Sequence, residues 1–180
     1  MTPHEEDMID RAQAFATNAH ASIDQRRKYT NEPYILHPIA VAKMVRSIKC
    51  TADVIAAAYL HDVVEDTPVT LQQIWAEFGP DVASLVDQVT DVSRPADGNR
   101  EARKALDRMH LAKASHAGAT IKLADLIDNT RSIIQHDRKF AVTYMREKKL
   151  ILQAMTQGSP LLRSAALSIV HAWEAGNPMI

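Results

Sequence analysis

The sequence predicts an all-α fold, one helical bundle of about eight to ten helices over residues 1–180. Three observations lead there. Apolar residues recur at helical rather than alternating spacing along most of the chain. Most of these segments have recognisable ends. Only 5 Gly occur in 180 residues, too few for the many tight turns of a sandwich or barrel.

The elements follow in order. Thr2-Pro3-His4-Glu5 reads as a capping box with proline at the first helical position, and Met8, Ala12, Phe15 and Ala19 mark one face of a helix running to about His20. The polar stretch 24–33 then breaks the pattern. Pro38 starts a second helix carrying Ile39, Ala42, Val45 and Ile48. Thr51 caps a third, from Ala52 to about Glu65, which is apolar nearly all round through 54–60 and so belongs in the centre of a bundle. Thr70 and Gln73 form a second capping box, opening a short helix with Leu71, Ile74 and Phe78 that stops at Gly79-Pro80. Val82, Leu85, Val86 and Val89 mark another. Residues 93–100 are a loop, and 101–115 form a strongly charged helix with Ala105, Met109 and Ala112 as a narrow apolar stripe. Ile121, Ala124 and Ile127 define a helix from Gly118 to about Ile134. Two more cover 140–157 and 160–175, the last with Leu162, Ala165, Ile169 and Trp173. That final face either closes the core or pairs two copies of the chain into a homo-oligomer.

Composition excludes several classes. Lys plus Arg (21) nearly balances Asp plus Glu (22), a net charge of −1, which argues against a dedicated partner for nucleic acid or a membrane surface. The single cysteine, Cys50, fits a reducing compartment. No apolar run approaches the roughly 20 residues of a membrane-spanning helix, and the amino terminus is acidic and polar rather than signal-like. A soluble cytoplasmic protein is expected.

Chemistry concentrates in Tyr59-Leu60-His61-Asp62-Val63-Val64-Glu65-Asp66-Thr67. Four ionisable groups stand at the polar end of an otherwise buried helix, where carboxylates are costly unless neutralised. On a continuous helix His61 stacks on Glu65 and Asp62 on Asp66, while His61 and Asp62 diverge by about 100° and approach one ion from adjacent positions. A mixed imidazole and carboxylate set suits a divalent transition metal. The dipeptide alone is weak, because His136-Asp137 repeats it in a polar junction and reads as solvated surface. Two further segments supply complementary groups. His37 lies between an extended apolar tripeptide and a helix start. Lys122, Asp125 and Asn129 share a helical face.

These segments together resemble a known family. Glu-Pro-Tyr-Ile before His-Pro, then Leu-His-Asp-Val-Val-Glu-Asp-Thr, then Phe-Gly-x-x-Val-x-x-Leu-Val-x-x-Val-Thr, then Lys-Leu-Ala-Asp-x-x-x-Asn is similar to the hydrolase domain of RelA/SpoT homologues, within the HD metal phosphohydrolase superfamily. The likeness covers about residues 19–133. With 180 residues the chain resembles the stand-alone small alarmone hydrolases, with no room for a synthetase domain, and a single HD-type domain over 1–180 is expected.

The resemblance implies one divalent ion, Mn²⁺ first and Fe²⁺, Co²⁺ or Zn²⁺ as alternatives, held by His37, His61, Asp62 and Asp125. It assigns Glu65 and Asp66 to the attacking water and Asn129 to the substrate. Arg27 matches the basic residue of the preceding loop. That loop is one residue longer here than in the long-chain enzymes, which leaves Arg27 and Lys28 both as candidates. The implied reaction removes pyrophosphate from the 3′ position of guanosine tetra- or pentaphosphate. Such a substrate brings three to five negative charges, so cations must line its cleft. Arg27, Lys28, Lys122 and Arg131 are candidates, with Arg100, Arg103, Lys104 and Arg108 in the charged helix and Tyr29 as a stacking surface. Alternative readings are another substrate for the same chemistry (NADPH at its 2′-phosphate, a nucleoside monophosphate), a non-catalytic alarmone-binding module, and a purely structural bundle.

Overall fold

One central helix organises each half of the chain, the first buried almost throughout and the second over about half of its residues. The computed structural model describes residues 1–176 and divides into two compact units, Met1–Thr90 and a second beginning at Asp91. The described residues form nine α-helices and a 3-10 turn at Pro95–Asp97, with no strand beyond an isolated bridge between Arg26 and Pro33. The all-α expectation holds.

In the first unit the central element is α3 (Ala52–Leu60), surrounded by α1 (Pro3–Ser22), α2 (Leu36–Ser47) and α5 (Leu71–Val89). Eight of its residues are buried, and Ile55 and Leu60 each contribute about 1.5–3 kcal/mol of burial. Both predicted capping boxes form. Thr2 N–H donates to Glu5 Oε2 (2.6 Å), and Thr70 N–H donates to Gln73 Oε1 (2.8 Å). Gly79, at φ 87°, breaks α5 where Gly-Pro predicts a stop. The buried face of α1 is Ile9, Ala12, Ala16 and Ala19 rather than one centred on Met8 and Phe15. Small side chains let α1 approach α3, and Phe15 is left at the margin, edge-on to Phe78 at 5.5 Å.

The largest departure is at the end of α3. The expected single helix to Glu65 is two: α3 stops at Leu60, and a four-residue helix, α4 (Val63–Asp66), follows. His61 and Asp62 occupy the break with right-handed backbone angles, so the regular stacking of His61 on Glu65 does not apply.

In the second unit α7 (His116–His136) is central. It packs on α8 (Arg138–Ala154) and α9 (Pro160–Glu174), and α6 (Arg100–Leu111) packs on α8. The predicted stripe of α6 is wrong. Met109 is 57% exposed, and the buried residues are Asp107 and Leu111. Asp107 is inside because its carboxylate accepts from the backbone N–H groups of Val92 (3.1 Å) and Ser93 (2.9 Å) and from Ser93 Oγ (3.0 Å), fixing the preceding loop. Burial opposes its ionisation, but the Ser93 bonds and the Lys104 ammonium outweigh it and hold its pKa low. On α9 the buried face is Leu162, Ala166 and Val170, one position beyond the predicted Ala165 and Ile169. His136 is exposed as expected, whereas Asp137 caps α8 by accepting from Phe140 N–H (3.0 Å).

Gly158, between α8 and α9, has φ +98° and lies against α7. A Cβ there would stand 3.1 Å from the Ala119 carbonyl carbon and 2.8 Å from Leu123 Cδ1. Gly158→Ala is expected to cost about 2–4 kcal/mol through backbone strain and overpacking, lowering Tm by roughly 5 °C or more in thermal unfolding. An unchanged Tm would show that the loop relaxes freely.

Candidate metal centre

The first unit brings His37, His61 and Asp62 together. His37 sits in the first turn of α2, where its N–H donates to Tyr34 O (3.0 Å), and the α3/α4 break supplies the other two. Both imidazoles are 1% exposed. His61 Nδ1 donates to Ala58 O (2.8 Å), which assigns the proton to Nδ1 and leaves the Nε2 lone pair for a ligand. That Nε2 lies 3.2 Å from Asp62 Oδ2, and His37 Nε2 lies 3.5 Å from the same oxygen. One ligand atom from each of the three falls within 4.8 Å of the others.

This donor set fits a cation. Ligands about 2.1 Å from a shared ion stand about 3.0 Å apart at a right angle and about 3.4 Å apart at the tetrahedral angle. The two imidazole–carboxylate spacings, 3.2 and 3.5 Å, lie close to that range. Two nitrogens and a carboxylate oxygen suit Mn²⁺, Fe²⁺, Co²⁺ or Zn²⁺.

Three residues around the cluster were missed from sequence. Tyr34 OH donates to Asp62 Oδ2 (2.6 Å), and Gln25 Nε2 donates to Asp66 Oδ2 (2.8 Å). His20, 1% exposed, places Nδ1 2.6 Å from Gln25 Oε1. The Tyr34–Asp62 and Gln25–Asp66 pairs span 28 and 41 residues, beyond helical periodicity; Tyr34 was visible in an apolar tripeptide and in the Glu-Pro-Tyr-Ile segment, with no role attached. Burial and then the Asp62 charge push the Asp66 carboxyl above its ordinary pKa, against the Gln25 and Tyr34 hydrogen bonds and the His20 ring. Glu65 is exposed on the same short α4. At the following turn Val69 N–H donates to Thr67 Oγ1 (3.2 Å).

The basic loop divides its two candidates. The Arg27 guanidinium stands 6.0 Å from the centre of the Tyr34 ring, whose hydroxyl reaches Asp62, whereas Lys28 is exposed and lies over Tyr29, 4.9 Å from that ring. Tyr29 is therefore occupied by a cation of its own loop.

In the second unit Asp125 is 4% exposed on α7. Lys122 Nζ stands 2.8 Å from its Oδ2, and Asn129 Nδ2 donates to its Oδ1 (2.5 Å). The three predicted residues thus share one cluster, on the wall of a cavity of about 240 Å³ that Tyr144, Arg100 and Lys104 also line. Arg100 is paired with Glu147 (2.7 Å) and Lys104 with Asp91 (2.5 Å), so these cations are already partly neutralised. Arg131 is exposed, and Arg103 and Arg108 are half-buried on α6.

Comparison with known proteins places the fold. The profile of the HD domain family matches residues 12–156. The chain belongs to the HD domain family. Among members of this HD family, a probable guanosine-3′,5′-bis(diphosphate) 3′-pyrophosphohydrolase of Synechocystis sp. is 42% identical over 129 residues, 70% of this chain but 17% of that protein. The chain therefore spans about a sixth of that relative's length. The guanosine-3′,5′-bis(diphosphate) 3′-pyrophosphohydrolase MESH1 of Xenopus tropicalis is 38% identical over 130 residues, 70% of this chain and 69% of that one. A solved metazoan ortholog of SpoT, described as hydrolysing ppGpp, superimposes with a TM-score of 0.81 at 29% identity, covering 94% of this HD chain and 96% of its own.

Proposed function

We propose that this HD protein is a metal-dependent guanosine 3′,5′-bis(diphosphate) 3′-pyrophosphohydrolase, acting on the tetraphosphate to give GDP and on the pentaphosphate to give GTP. The observation that carries the reading is the convergence of His37, His61 and Asp62, in a chain whose likeness to a protein of that name covers about 70% of both and whose likeness to a solved ppGpp-hydrolysing SpoT ortholog covers 94%.

His37, His61 and Asp62 hold the ion, Mn²⁺ in this reading, and Asp125 is carried in as the fourth donor on the family pattern alone. A bound divalent ion lowers the pKa of water from 15.7 toward about 7 and polarises a phosphoryl oxygen. Glu65, exposed to solvent, takes the proton of the attacking water; Asp66 orients that water. Water oxygen adds to the 3′-linked phosphorus, the bond from phosphorus to the ribose oxygen breaks, pyrophosphate leaves, and the 3′-hydroxyl regains a proton. Arg27, drawn toward Tyr34, neutralises phosphate charge, with Lys28, Lys122 and Asn129 as further contacts. A nucleotide substrate and the lone Cys50 support a cytoplasmic location for the enzyme. In the described residues, no helix is long and apolar enough to cross a membrane.

Incubation of guanosine 3′,5′-bis(diphosphate) with the chain and Mn²⁺ is expected to yield GDP and pyrophosphate in equal amounts, stopping with chelator and resuming with added Mn²⁺. Faster release of orthophosphate from NADPH or a nucleoside monophosphate overturns the substrate. Tight binding of the tetraphosphate with no product overturns catalysis.

A further inference from the structure

The Asp24–Pro33 stretch, which helical periodicity leaves as a polar break, builds a support for the acidic end of the centre. Asp24, at φ 47°, ends α1 and turns Gln25 back so that its N–H donates to His20 O (3.0 Å). The strand-like bridge between Arg26 and Pro33 then returns the chain, and Tyr34 N–H donates to Gln25 O (3.1 Å). Gln25 and Tyr34 are thus paired through the backbone, and their side chains reach Asp66 and Asp62 respectively.

The direction of the Gln25 amide is fixed by its partners. A carboxylate only accepts, so the Gln25 group 2.8 Å from Asp66 Oδ2 is the NH₂, and the amide oxygen faces His20 Nδ1 at 2.6 Å. The oxygen only accepts, so Nδ1 of His20 carries a proton. His20 itself is held by burial at 1% exposure and by the Tyr34 ring, 4.8 Å away between centres. Its Nε2 is buried with no hydrogen-bond partner among the described residues.

Building on the hydrolase reading, we propose that Gln25 is a positioning residue for Asp66: clamped by the buried His20 ring, its amide aims the Asp66 carboxylate that orients the attacking water. The side-chain hydrogen bonds of Gln25 go to Asp66 and His20. A buried imidazole is a firmer anchor than solvent for a flexible amide, and Asp66, at the end of a four-residue helix, gets little orientation from its own backbone.

Gln25→Glu keeps size and the acceptor toward His20 but replaces the donor to Asp66; Gln25→Leu removes both. Both variants are expected to lose about 10²-fold in kcat with KM within about twofold, the cost of misplacing a reacting group, while Mn²⁺ content by elemental analysis matches wild type. In ¹⁵N-detected NMR of the wild-type chain, the ring signal absent from His20→Asn should show Nδ1 protonated, and Gln25→Leu should move the proton to Nε2. An active wild type whose Gln25 variants keep full kcat, or lose kcat, KM and Mn²⁺ together, overturns the positioning role alone, as does a wild-type His20 protonated at Nε2. A wild type that releases no pyrophosphate from any guanosine polyphosphate overturns the hydrolase reading, and the positioning role with it.

Discussion

His61→Ala should yield a folded chain that binds no Mn²⁺ and releases pyrophosphate more slowly by on the order of 10³-fold or more, since the activated water is lost with the ion. The imidazole supplies one of three converging donors and is oriented by Ala58 O, so alanine removes both the ligand atom and its fixed direction. Glu65→Gln is its counterpart. It should lower turnover by about 10²–10⁴-fold, the usual worth of a general acid or base, but leave Mn²⁺ content unchanged, because Glu65 lies outside the cluster of donors. Elemental analysis beside a pyrophosphate assay separates the two. Loss of metal from the Glu65 variant would move that carboxylate into the ligand set.

Lys148→Met is expected to stabilise the protein. Lys148 is 0% exposed on α8, with Nζ 2.7 Å from Thr130 Oγ1 and 3.4 Å from Leu126 O. Burial pulls its pKa down to about 7, against the attraction of Asp125, and Arg131 adds to the depression. Between that value and the ordinary lysine value the unfolded chain binds a proton that the folded chain does not, so stability rises with pH across this window. Below about pH 7 both states are protonated and the full penalty stands. The slope integrates to on the order of 5 kcal/mol, a large part of a typical 5–15 kcal/mol total. Methionine keeps most of the volume without the charge. At pH 7 it should raise Tm by roughly 5–10 °C and flatten the rise between pH 7 and 10. Calorimetry across that range tests this, and a lower Tm would show that the Thr130 contact outweighs the buried charge.

Much of the fold was legible because its signals are local. The Thr2 and Thr70 boxes, the Gly79-Pro80 stop and the all-apolar α3 each rest on residues within a few positions of one another. The break at His61–Asp62 was not, since neither residue is a helix breaker and tertiary packing decides where the ladder stops. Two residues of the candidate donor cluster, His61 and Asp62, are adjacent in sequence and were read directly; His37 came in through the family resemblance. Asp125, Lys122 and Asn129 share a cluster because their spacing is helical. Gln25, His20 and Tyr34 act across distances that no period reports. Lys148 differs, for it continues the stripe Ala141, Met145, Lys148, Leu152, and a lysine at a core position was there to be noticed.

The Arg26–Pro33 bridge has one more effect. Above it the chain is closed by Arg27 N–H to Glu32 O (2.8 Å) and Asn31 N–H to Arg27 O (3.0 Å), with Asn31 in the left-handed region at φ 57°. The tip is thereby closed on itself by backbone hydrogen bonds, separate from the Gln25–Tyr34 pair at the base. The one additional residue that the resemblance to the long-chain enzymes implies for this loop thus has a place at the tip, outside the pairing that joins Gln25 to Tyr34.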